Sequence, residues 1–385
     1  MSIDLPFHRA WLDDDEINEV VDTLKSGWMT TGPKARQFEE DFQNYIGCRH
    51  AIALNSCTAG LHLAVAVSRF NEGDEIITTP MTFPATSNVL VHERLEPVFV
   101  DIEPGTLNLD ASRIEAKITS RTRGILPVHF GGHPCDMDAI EDIAARHRLA
   151  IIEDAAHAIE SRYKERKVGD RHLTAFSFYA NKNITTGEGG MLTTNDDDIA
   201  DTVRVLRLHG LSRDAWNRFG NAGYSHWELE MPGFKYNMAD INAALGIHQL
   251  KKVERFLEIR KLHAERYDAA FGDVEELERM QTREYATTHA HYIYPVALRL
   301  ERLKVTRDEF LNAVQETGIG VAVHYIGLHL QPFYRKTYAL EPGDYPVATD
   351  YSQRLLSLPL YPKMTEADVD RVAGTVRDLV ARFRR

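Results

Sequence analysis

Lys182 stands in a stretch of sequence that could make its amine reactive. It follows the apolar, aromatic run of residues 174–180 and precedes a glycine-rich turn that ends at Gly190. A lysine with an ordinary pKa of ~10.4 is only about 0.04% neutral at pH 7. Burial and a neighbouring cation lower that pKa, which is how Schiff-base lysines become nucleophilic. A surface lysine just past a strand end is the alternative, and it is the commoner case for an isolated lysine.

A carboxylate is expected at the same edge of the fold. Residues 149–154 are a four-residue apolar run that ends in Glu153 and Asp154. This pattern predicts a buried parallel strand that places Asp154 at its carboxyl end, where ligands bind in open α/β sheets. A cationic ring nitrogen ~4 Å away would contribute on the order of 4 kcal/mol at an effective dielectric of about 20. Capping of the next helix by Asp154 is the alternative.

A phosphate-binding turn is predicted between the strand at residues 51–54 and the helical pattern that follows. Ser56, Cys57 and Thr58 lie in this turn. The free N–H groups and the dipole at a helix start suit a phosphate, and the two hydroxyls would assist them. Ordinary N-capping is the alternative, and the motif of a Walker loop is absent. We interpret Cys57 as a small packing residue rather than a nucleophile.

Together, the lysine, the aspartate and the turn predict a site for pyridoxal 5'-phosphate (PLP). The lysine would form a Schiff base, and the aspartate would keep the pyridinium protonated so that the ring acts as an electron sink. The chain resembles the DegT-type PLP-dependent sugar-nucleotide aminotransferases, a branch of the aspartate aminotransferase fold, fold type I. The resemblance runs nearly end to end and rests on residues 27–33, 80–83, 127–131, 153–157 and 233–242, and on Ser177 with Lys182. Residues 181–185 and 234–237 are most similar to UDP-4-amino-4-deoxy-L-arabinose–oxoglutarate aminotransferases.

This resemblance implies roles for further residues. It places His157 at the phenolic oxygen of the cofactor, Ser177 at its phosphate and Phe83 on its ring. Asn237 would reach the cofactor phosphate of the partner subunit, which implies a homodimer with shared active sites. Without the resemblance, His157 and Phe83 would be ordinary core residues. The implied cofactor-binding set is Lys182, Asp154, His157, Ser177, Ser56, Cys57, Thr58, Phe83 and Asn237, and the implied substrate-binding set is Thr30, Thr31, Lys34, His324 and His329.

The implied reaction moves an amino group from L-glutamate to a nucleotide-linked keto sugar and releases 2-oxoglutarate, with Lys182 and Asp154 as catalytic residues. The leading substrate is a UDP-linked 4-keto-pentose, which gives UDP-4-amino-4-deoxy-L-arabinose. A UDP- or dTDP-linked 4-keto-6-deoxyhexose is the alternative, because the sugars differ by about one methyl group, worth ~1–3 kcal/mol. Lys34, Arg213 and Arg218 are candidates for binding the diphosphate. The implied process is modification of lipopolysaccharide or a surface polysaccharide.

Three other classes fit parts of the pattern. In the PLP-dependent sugar dehydratases of this fold branch a histidine replaces the Schiff-base lysine, so Lys182 argues against them. A nicotinamide dehydrogenase needs Gly-x-Gly-x-x-Gly after its first strand, and that motif is missing. A non-catalytic, cofactor-binding regulator would not need the lysine, the aspartate and the phosphate turn together, so the presence of all three argues against this class.

The composition agrees with a cytoplasmic enzyme. The chain has 385 residues, a net charge of −12 and three cysteines. This balance argues against a nucleic-acid surface and against a disulfide framework. No signal peptide, membrane-spanning run or bound metal is expected, because the chain has no apolar leader, no sufficiently long apolar stretch and no His-Glu-x-x-His motif.

The order of strand-like and helical patterns predicts the fold class. Short strands alternate with helices from about residue 51 to 195, which indicates an α/β fold with a mostly parallel sheet flanked by helices. Helical spacing covers residues 16–25, and one long helix is predicted over residues 239–271. Strand-like residues 291–298 and 319–325, a helix from Thr306 and a last helix at 365–383 predict a smaller α+β domain. The predicted division is a large PLP-binding domain at residues 1–250 and a small C-terminal domain at residues 251–385.

Overall fold

The computed structural model describes residues 3–211 and 228–385. The strands are β1 (His50–Leu54), β2 (Glu75–Thr78), β3 (Glu96–Phe99), β4 (Thr122–Leu126), β5 (Ala150–Asp154), β6 (Arg162–Tyr163), β7 (Arg166–Lys167), β8 (Leu173–Ser177), β9 (Gly190–Thr194), β10 (Leu277–Arg279), β11 (Ala286–Thr288), β12 (Tyr294–Leu298) and β13 (Leu355–Leu358). The α-helices are α1 (Asp14–Ser26), α2 (Pro33–Ile46), α3 (Cys57–Val67), α4 (Ala85–His92), α5 (Met137–His147), α6 (Asp197–Leu206), α7 (Asp240–Phe271), α8 (Arg307–Glu316), α9 (Pro332–Tyr338), α10 (Pro346–Arg354) and α11 (Glu366–Phe383). None of the described helices has the length and apolar character needed to span a bilayer.

The largest sheet in the described part of the chain has seven strands in the order β1-β9-β8-β5-β4-β2-β3. The pairs β8–β5, β5–β4, β4–β2 and β2–β3 are parallel, whereas β9 is antiparallel to both β1 and β8. Six of these strands therefore share one direction, and the predicted mostly parallel sheet is confirmed. Parallel neighbours need long crossover connections, which explains the alternation of strands and helices along the chain.

Apolar side chains cover both faces of this sheet. Along β1, Ala51 and Ala53 belong to one core, whereas Ile52 and Leu54 belong to another. Successive side chains in a strand point to opposite faces, so these two cores lie on opposite sides of the sheet. Helices α2 and α7 contribute to the first core, and α3 contributes to the second. Burial on both faces explains why these strands are continuous apolar runs in the sequence.

The carboxyl ends of β1, β5 and β8 meet at one edge of the sheet. Leu54 at the end of β1 pairs with Gly190, which also pairs with Ser177 at the end of β8. Asp154 at the end of β5 pairs with Ala175. Because β9 runs back beside β8, the connection between them returns at this edge without crossing the sheet. The segment that carries Lys182 therefore stays close to Asp154.

The long helix α7 passes from one core to another. Its residues from Ala243 to Phe256 pack against the large sheet, whereas Ala264 and later residues pack with β10, β12, β13, α8 and α11. These three strands form an antiparallel sheet of their own. The predicted long helix, the helix after Thr306 and the last helix are confirmed. The division of the chain near residue 250 stays a prediction.

Residues 319–325 do not form the predicted strand, so that prediction is wrong. Ile319 makes one isolated bridge with Leu5, and Ala322 makes another with Ser357. Between them, Gly320 lies so close to the N-terminal segment that a Cβ there would come within 2.4 Å of the Phe7 backbone nitrogen. The alternating apolar residues of this stretch therefore reflect burial against that segment and not pairing within a ladder.

Candidate active site

A cavity of about 640 Å³ opens at the carboxyl edge of the large sheet. The predicted residues that line it are Lys182, Asp154, His157, Ser177, Ser56, Cys57, Thr58, Phe83 and His324. The predicted residues outside its lining are Thr30, Thr31, Lys34, Asn237 and His329. Arg213 and Arg218 lie outside the described residues. The structure thus brings the lysine, the aspartate and the phosphate turn to one cavity, although up to 126 residues separate them in the sequence.

The Lys182 amine lies inside this cavity. Burial lowers its pKa to about 8, although the Cys57 and Asp154 side chains oppose this effect. Its Nζ atom lies over the ring of Tyr292, 4.5 Å from the ring centroid. Burial alone lowers this pKa, and no neighbouring cation among the described residues contributes to the lowering, contrary to the expectation from the sequence. At pH 7 an amine with this pKa is roughly one-tenth neutral, compared with about 0.04% for an ordinary lysine.

We expect the reaction of Lys182 with PLP to become faster as the pH rises through about 8. Only the neutral amine attacks an aldehyde, and the neutral fraction grows as the pH passes the pKa from below. An ordinary lysine would need a pH near ~10.4 for the same gain. Cofactor-free enzyme is mixed with PLP at pH values from about 6 to about 9.5. The measurement is the rate at which the absorbance of the adduct appears, near the boundary between the ultraviolet and visible ranges. A rate that rises tenfold per pH unit throughout this range would contradict the lowered pKa.

Asp154 is buried at the end of β5, and both of its carboxylate oxygens accept hydrogen bonds. Oδ2 accepts one from Thr86 Oγ1 (2.7 Å), and Oδ1 accepts one from the Ala156 N–H (3.1 Å). Burial raises the pKa of this carboxyl, while these two bonds and the Lys182 charge oppose the rise. The capping alternative is wrong, because the next α-helix among the described residues, α6, begins only at Asp197. A buried carboxylate at this position is suited to pair with a cationic ring nitrogen.

The turn from β1 into α3 has the form expected of a helix start. Ser56 is the N-cap, and its Oγ accepts a hydrogen bond from the Ala59 N–H (3.1 Å). The N–H groups of Cys57 and Thr58 belong to the first turn, where no carbonyl of the same helix can accept them. Burial raises the pKa of the Cys57 thiol well above its usual value, in agreement with a packing residue. Gly190 approaches the turn so closely that a Cβ there would lie 2.4 Å from the Ser56 carbonyl carbon.

His157 is held in one orientation by contacts at both ring nitrogens. Nδ1 accepts a hydrogen bond from the Gly131 N–H (3.2 Å), and Nε2 lies 3.2 Å from the Tyr325 hydroxyl. The ring stacks on Tyr292 with the centroids 4.1 Å apart. Burial lowers the pKa of His157 well below its usual value, and the Lys182 charge adds to this effect. The neutral ring therefore carries its proton on Nε2, because Nδ1 acts as an acceptor.

Phe83 and His324 complete the wall of the cavity. Phe83 is 59% exposed, which is unusual for a large aromatic side chain, and its ring lies 6.3 Å from that of Tyr325. Such exposure is expected of a side chain that covers a ligand. His324 is buried, and its Nδ1 lies 3.0 Å from Ser357 Oγ. Burial lowers the pKa of His324 to about 4, so it is a neutral hydrogen-bonding group at pH 7.

A second group of predicted residues packs together outside the lining of the cavity. Thr31 Oγ1 donates a hydrogen bond to the Met238 carbonyl (2.6 Å) and accepts one from Asn237 Nδ2 (2.6 Å). The Asp240 N–H donates to the carbonyl of Thr30 (3.2 Å). These contacts join two stretches that are more than 200 residues apart in the chain. Asn237 and the threonines therefore form one cluster, which lies beside the end of β1 and outside the lining of the cavity of their own chain.

Lys34 and His329 also lie away from the cavity. The backbone N–H of Lys34 donates to Asp240 (3.1 Å), which thereby caps the start of α2, and the Lys34 amine pairs with Glu19. His329 is fully buried, with Nε2 2.8 Å from Thr349 Oγ1. Burial lowers the pKa of His329 to about 4, as for a histidine of the core. Neither residue touches the cavity within one chain.

The residues of the cavity fit PLP. The Lys182 amine and the Asp154 carboxylate provide the two groups that the cofactor aldehyde and ring nitrogen require. The hydroxyls of Ser56, Thr58 and Ser177 line the same cavity beside the start of α3. Gly190 of β9 lies so close to this turn that no larger side chain would fit between them. The donors for a phosphate and the groups for a pyridine ring are thus present in one space.

Thr86, Tyr292 and Tyr325 shape the cavity and are absent from the residues predicted from the sequence. Thr86 lies on α4, where its hydroxyl bonds Asp154, and a threonine within a helical pattern gives no sign of such a contact. The two tyrosines lie in stretches predicted as strands, which accounts for their rings by core packing alone. His291 directly precedes Tyr292, and His324 directly precedes Tyr325. These two His-Tyr pairs are the one sequence signal that could have indicated the two tyrosines.

The fold and the cavity define a PLP-dependent transferase of fold type I. The chain belongs to the DegT/DnrJ/EryC1/StrS aminotransferase family, whose model matches residues 11–377. SpsC of Bacillus subtilis, a spore coat polysaccharide biosynthesis protein, is 46% identical over 98% of this chain and 97% of its own length.

Solved structures agree with this membership. Spr1654 from Streptococcus pneumoniae in its PMP form has a TM-score of 0.92 at 31% identity, covering 98% of this chain and 100% of that one. Its PLP form has a TM-score of 0.91. PseC of Helicobacter pylori, an aminotransferase involved in the biosynthesis of pseudoaminic acid, has a TM-score of 0.91 at 28% identity, with coverage of 98% and 100%. The predicted family, fold class, aminotransferase activity and PLP cofactor are therefore confirmed.

Proposed function

We propose that this aminotransferase moves the amino group of L-glutamate to the 4-keto carbon of a nucleotide-linked sugar. The observation that carries the proposal is the Lys182 amine, with a pKa of about 8, in the same cavity as the buried Asp154. The sugar class is supported by the similarity to SpsC and PseC, which serve the biosynthesis of a polysaccharide and of pseudoaminic acid. A surface polysaccharide is accordingly the destination we propose for the amino sugar.

The roles of the residues follow from their chemistry. PLP, when bound, supplies an electron sink that stabilises negative charge on the substrate carbon. Lys182 would hold the cofactor through its amine, and its neutral Nζ, when free, would accept the proton from the donor carbon and give it back. Asp154 would keep the ring nitrogen protonated, and Ser56, Thr58 and Ser177 would bind the phosphate. The neutral His157, whose Nε2 lies 3.2 Å from the Tyr325 hydroxyl, would donate its Nε2 proton toward the phenolic oxygen.

The keto sugar that we propose first is a UDP-linked 4-keto-pentose, which gives UDP-4-amino-4-deoxy-L-arabinose. A UDP- or dTDP-linked 4-keto-6-deoxyhexose is the second candidate, because a cavity of about 640 Å³ can hold either sugar beside the cofactor. The extra methyl group changes binding by only ~1–3 kcal/mol. We place Phe83 and His324 in contact with the sugar or the cofactor, since both line the cavity.

We expect one nucleotide-linked 4-keto sugar to be aminated much faster than the others. The test incubates the holoenzyme with L-glutamate and a panel of UDP-, dTDP- and GDP-linked 4-keto sugars, and scores the product by mass. A single methyl difference predicts a preference of roughly 10- to 200-fold within one nucleotide series. Release of 2-oxoglutarate without amination of any keto sugar would contradict the sugar assignment while leaving the aminotransferase class intact.

We further propose that the active site is shared between two copies of the chain. Asn237, Thr31 and Thr30 form one hydrogen-bonded cluster outside the lining of their own chain's cavity, as a group that serves the partner's cavity would. In this arrangement Asn237 binds the partner's cofactor phosphate, and Thr30, Thr31 and Lys34 contact the partner's nucleotide sugar. Neither copy alone then has a complete site, so the active form is a C2 homodimer.

We expect activity to return when chains carrying Asn237→Ala are mixed with chains carrying Lys182→Ala. The mixed dimer has one site that combines Lys182 of the first chain with Asn237 of the second. The measurement is 2-oxoglutarate release at limiting PLP after subunit exchange, with recovery of up to about half of one wild-type dimer's activity per mixed dimer. Mixing Lys182→Ala with Asp154→Asn is the matched control, because both residues line the same cavity and no complete site can form. Equal recovery in both mixtures, or none in either after proven exchange, would contradict the shared site.

A further inference from the structure

One buried ion pair connects three segments of the chain behind the cavity wall. Asn183 Nδ2 donates a hydrogen bond to Glu160 Oε2 (2.7 Å), and the Arg260 guanidinium pairs with Glu160 Oε1. Arg260 Nε donates to the Ala290 carbonyl (3.1 Å). The side chains of Glu160 and Arg260 are 0% and 2% exposed. We name these three side chains and the Ala290 carbonyl the junction network.

Each end of the junction network lies next to a residue that faces the cofactor space. Asn183 directly follows Lys182, and Ala290 lies two residues before Tyr292. The Lys182 amine lies over the Tyr292 ring, 4.5 Å from its centroid. The network thus fixes the backbone on both sides of this contact from behind the cavity wall.

The middle of the network lies where the two cores meet. Arg260 is on α7 between Phe256, which packs with the large sheet, and Ala264, which packs with the C-terminal strands. Glu160 follows His157 by three residues on the connection after β5. A displacement of either core relative to the other would therefore pull on the segments that carry Lys182 and Tyr292.

Stability alone is a weak reason for such a pair. Desolvation of two buried charges offsets much of their attraction, and apolar residues of similar volume often serve as well. In addition, Nη1 of Arg260 is buried without an acceptor among the described residues. A role in holding the cavity in shape accounts for the presence of these buried charges.

We propose that the junction network is a positioning device that holds the Lys182 amine and the Tyr292 ring at the separation the reaction with PLP requires. The proposal rests on the role of Lys182 in the proposed function and not on the identity of the sugar. Asn183, Glu160 and Arg260 act through their neighbours and do not touch the cofactor space. Displacement of a reacting group by about 1 Å can slow a reaction on the order of a hundredfold.

The test replaces Asn183, the member of the network next to Lys182, and leaves the ion pair between Glu160 and Arg260 intact. Asn183→Ala is compared with Asn195→Ala, in which the asparagine after the other end of β9 loses its bond to the Asp170 carbonyl (2.7 Å) and its bond from the Arg49 N–H (2.7 Å). The full-length enzyme, freed of cofactor, is mixed with PLP from about pH 6 to about pH 9.5, and the adduct is followed by absorbance. Reaction of the holoenzyme with L-glutamate alone, which occurs once per site, then gives the maximal single-turnover rate and the apparent Kd for glutamate.

We expect Asn183→Ala to react with PLP on the order of 10- to 100-fold more slowly than wild type, with the pH midpoint moved upward from about 8. Its maximal single-turnover rate with glutamate should fall with little change in the apparent Kd, and Asn195→Ala should match wild type in every reading. Arg260→Lys, which keeps the charge but not the planar donor set, should show the same pattern more weakly. Unchanged rate and midpoint in Asn183→Ala, or equal changes in both asparagine variants, would overturn the proposal.

The experiment separates this proposal from the proposed function. No keto sugar is present, so an error in the sugar leaves every reading unaffected. If Lys182→Arg still forms the adduct, the role of Lys182 is wrong, and the junction network has nothing to position. If Lys182→Arg forms no adduct and Asn183→Ala matches wild type, the positioning role alone is overturned.

Discussion

Replacement of Lys182 by arginine is expected to lower kcat for transamination at least about ten-thousand-fold. Arginine remains charged at any working pH, so it can neither attack the PLP aldehyde nor accept a proton from the donor carbon. Loss of a general base alone accounts for roughly 100- to 10,000-fold, and loss of the covalent link adds to it. The measurement is the single-turnover rate at which L-glutamate releases 2-oxoglutarate, together with the absorbance of the enzyme–cofactor adduct.

The chain offers a matched control for this substitution. Burial also lowers the pKa of Lys167 to about 8, although its Nζ lies 3.4 Å from Glu254, which opposes the effect. Lys167 lies over the ring of Tyr45 and does not line the cavity. Lys167→Arg should therefore keep full turnover. Borohydride trapping with PLP should label Lys182 and leave Lys167 unlabelled, and the reverse result would remove the basis of the assignment.

Replacement of Asp154 by asparagine is expected to lower kcat about a thousandfold. The charge pair between this carboxylate and a protonated ring nitrogen is worth on the order of 4 kcal/mol, which corresponds to about three powers of ten in rate. The amide of asparagine fills the same volume and can keep the bond from Thr86, so the cavity should retain its shape. The measurement is the single-turnover rate with L-glutamate at saturating PLP. A rate within tenfold of wild type would show that Asp154 does not hold the ring proton.

A second buried aspartate gives the control for the loss of charge. Asp101 accepts hydrogen bonds from the backbone N–H groups of Ile102, Val347 and Ala348, at 2.9, 3.0 and 2.9 Å. It lies outside the lining of the cavity. Asp101→Asn should lower the free energy of unfolding by about 1 kcal/mol, because the backbone N–H groups at the start of α10 lose a charged acceptor. Its turnover should match wild type.

The sequence predicts the cavity well where a residue ends a strand, as Asp154 does, or lies in the connection just after one, as Lys182 does. Lys182 and Asp154 follow apolar runs, and parallel strands bring their carboxyl ends to one edge, so local pattern and topology agree. Thr86 could not be predicted in this way. Its bond to Asp154 depends on how α4 packs over the sheet, and helical spacing does not record which side chain meets which strand.

The junction network also could not be predicted from the sequence. Glu160 and Arg260 are 100 residues apart, and charged residues are mostly exposed, so neither suggests a buried partner. The failed strand at residues 319–325 has a related cause. Alternation of apolar side chains reports burial on one side, and here the covering element is the N-terminal segment around Phe7, which pattern alone does not identify.

The helix α7 has a mechanical consequence. It is 32 residues long, or about 48 Å, and it runs from Asp240, which caps α2, past Arg260 to the C-terminal core. In a helix of this length, a tilt of about one degree about one end moves the other end by about 0.8 Å. A displacement of this size is enough to misalign reacting atoms. The contacts of Asp240 at the start of α7 and of Arg260 about two-thirds along it fix the helix at two points. We expect these contacts to limit how far motion of the C-terminal core displaces Lys182.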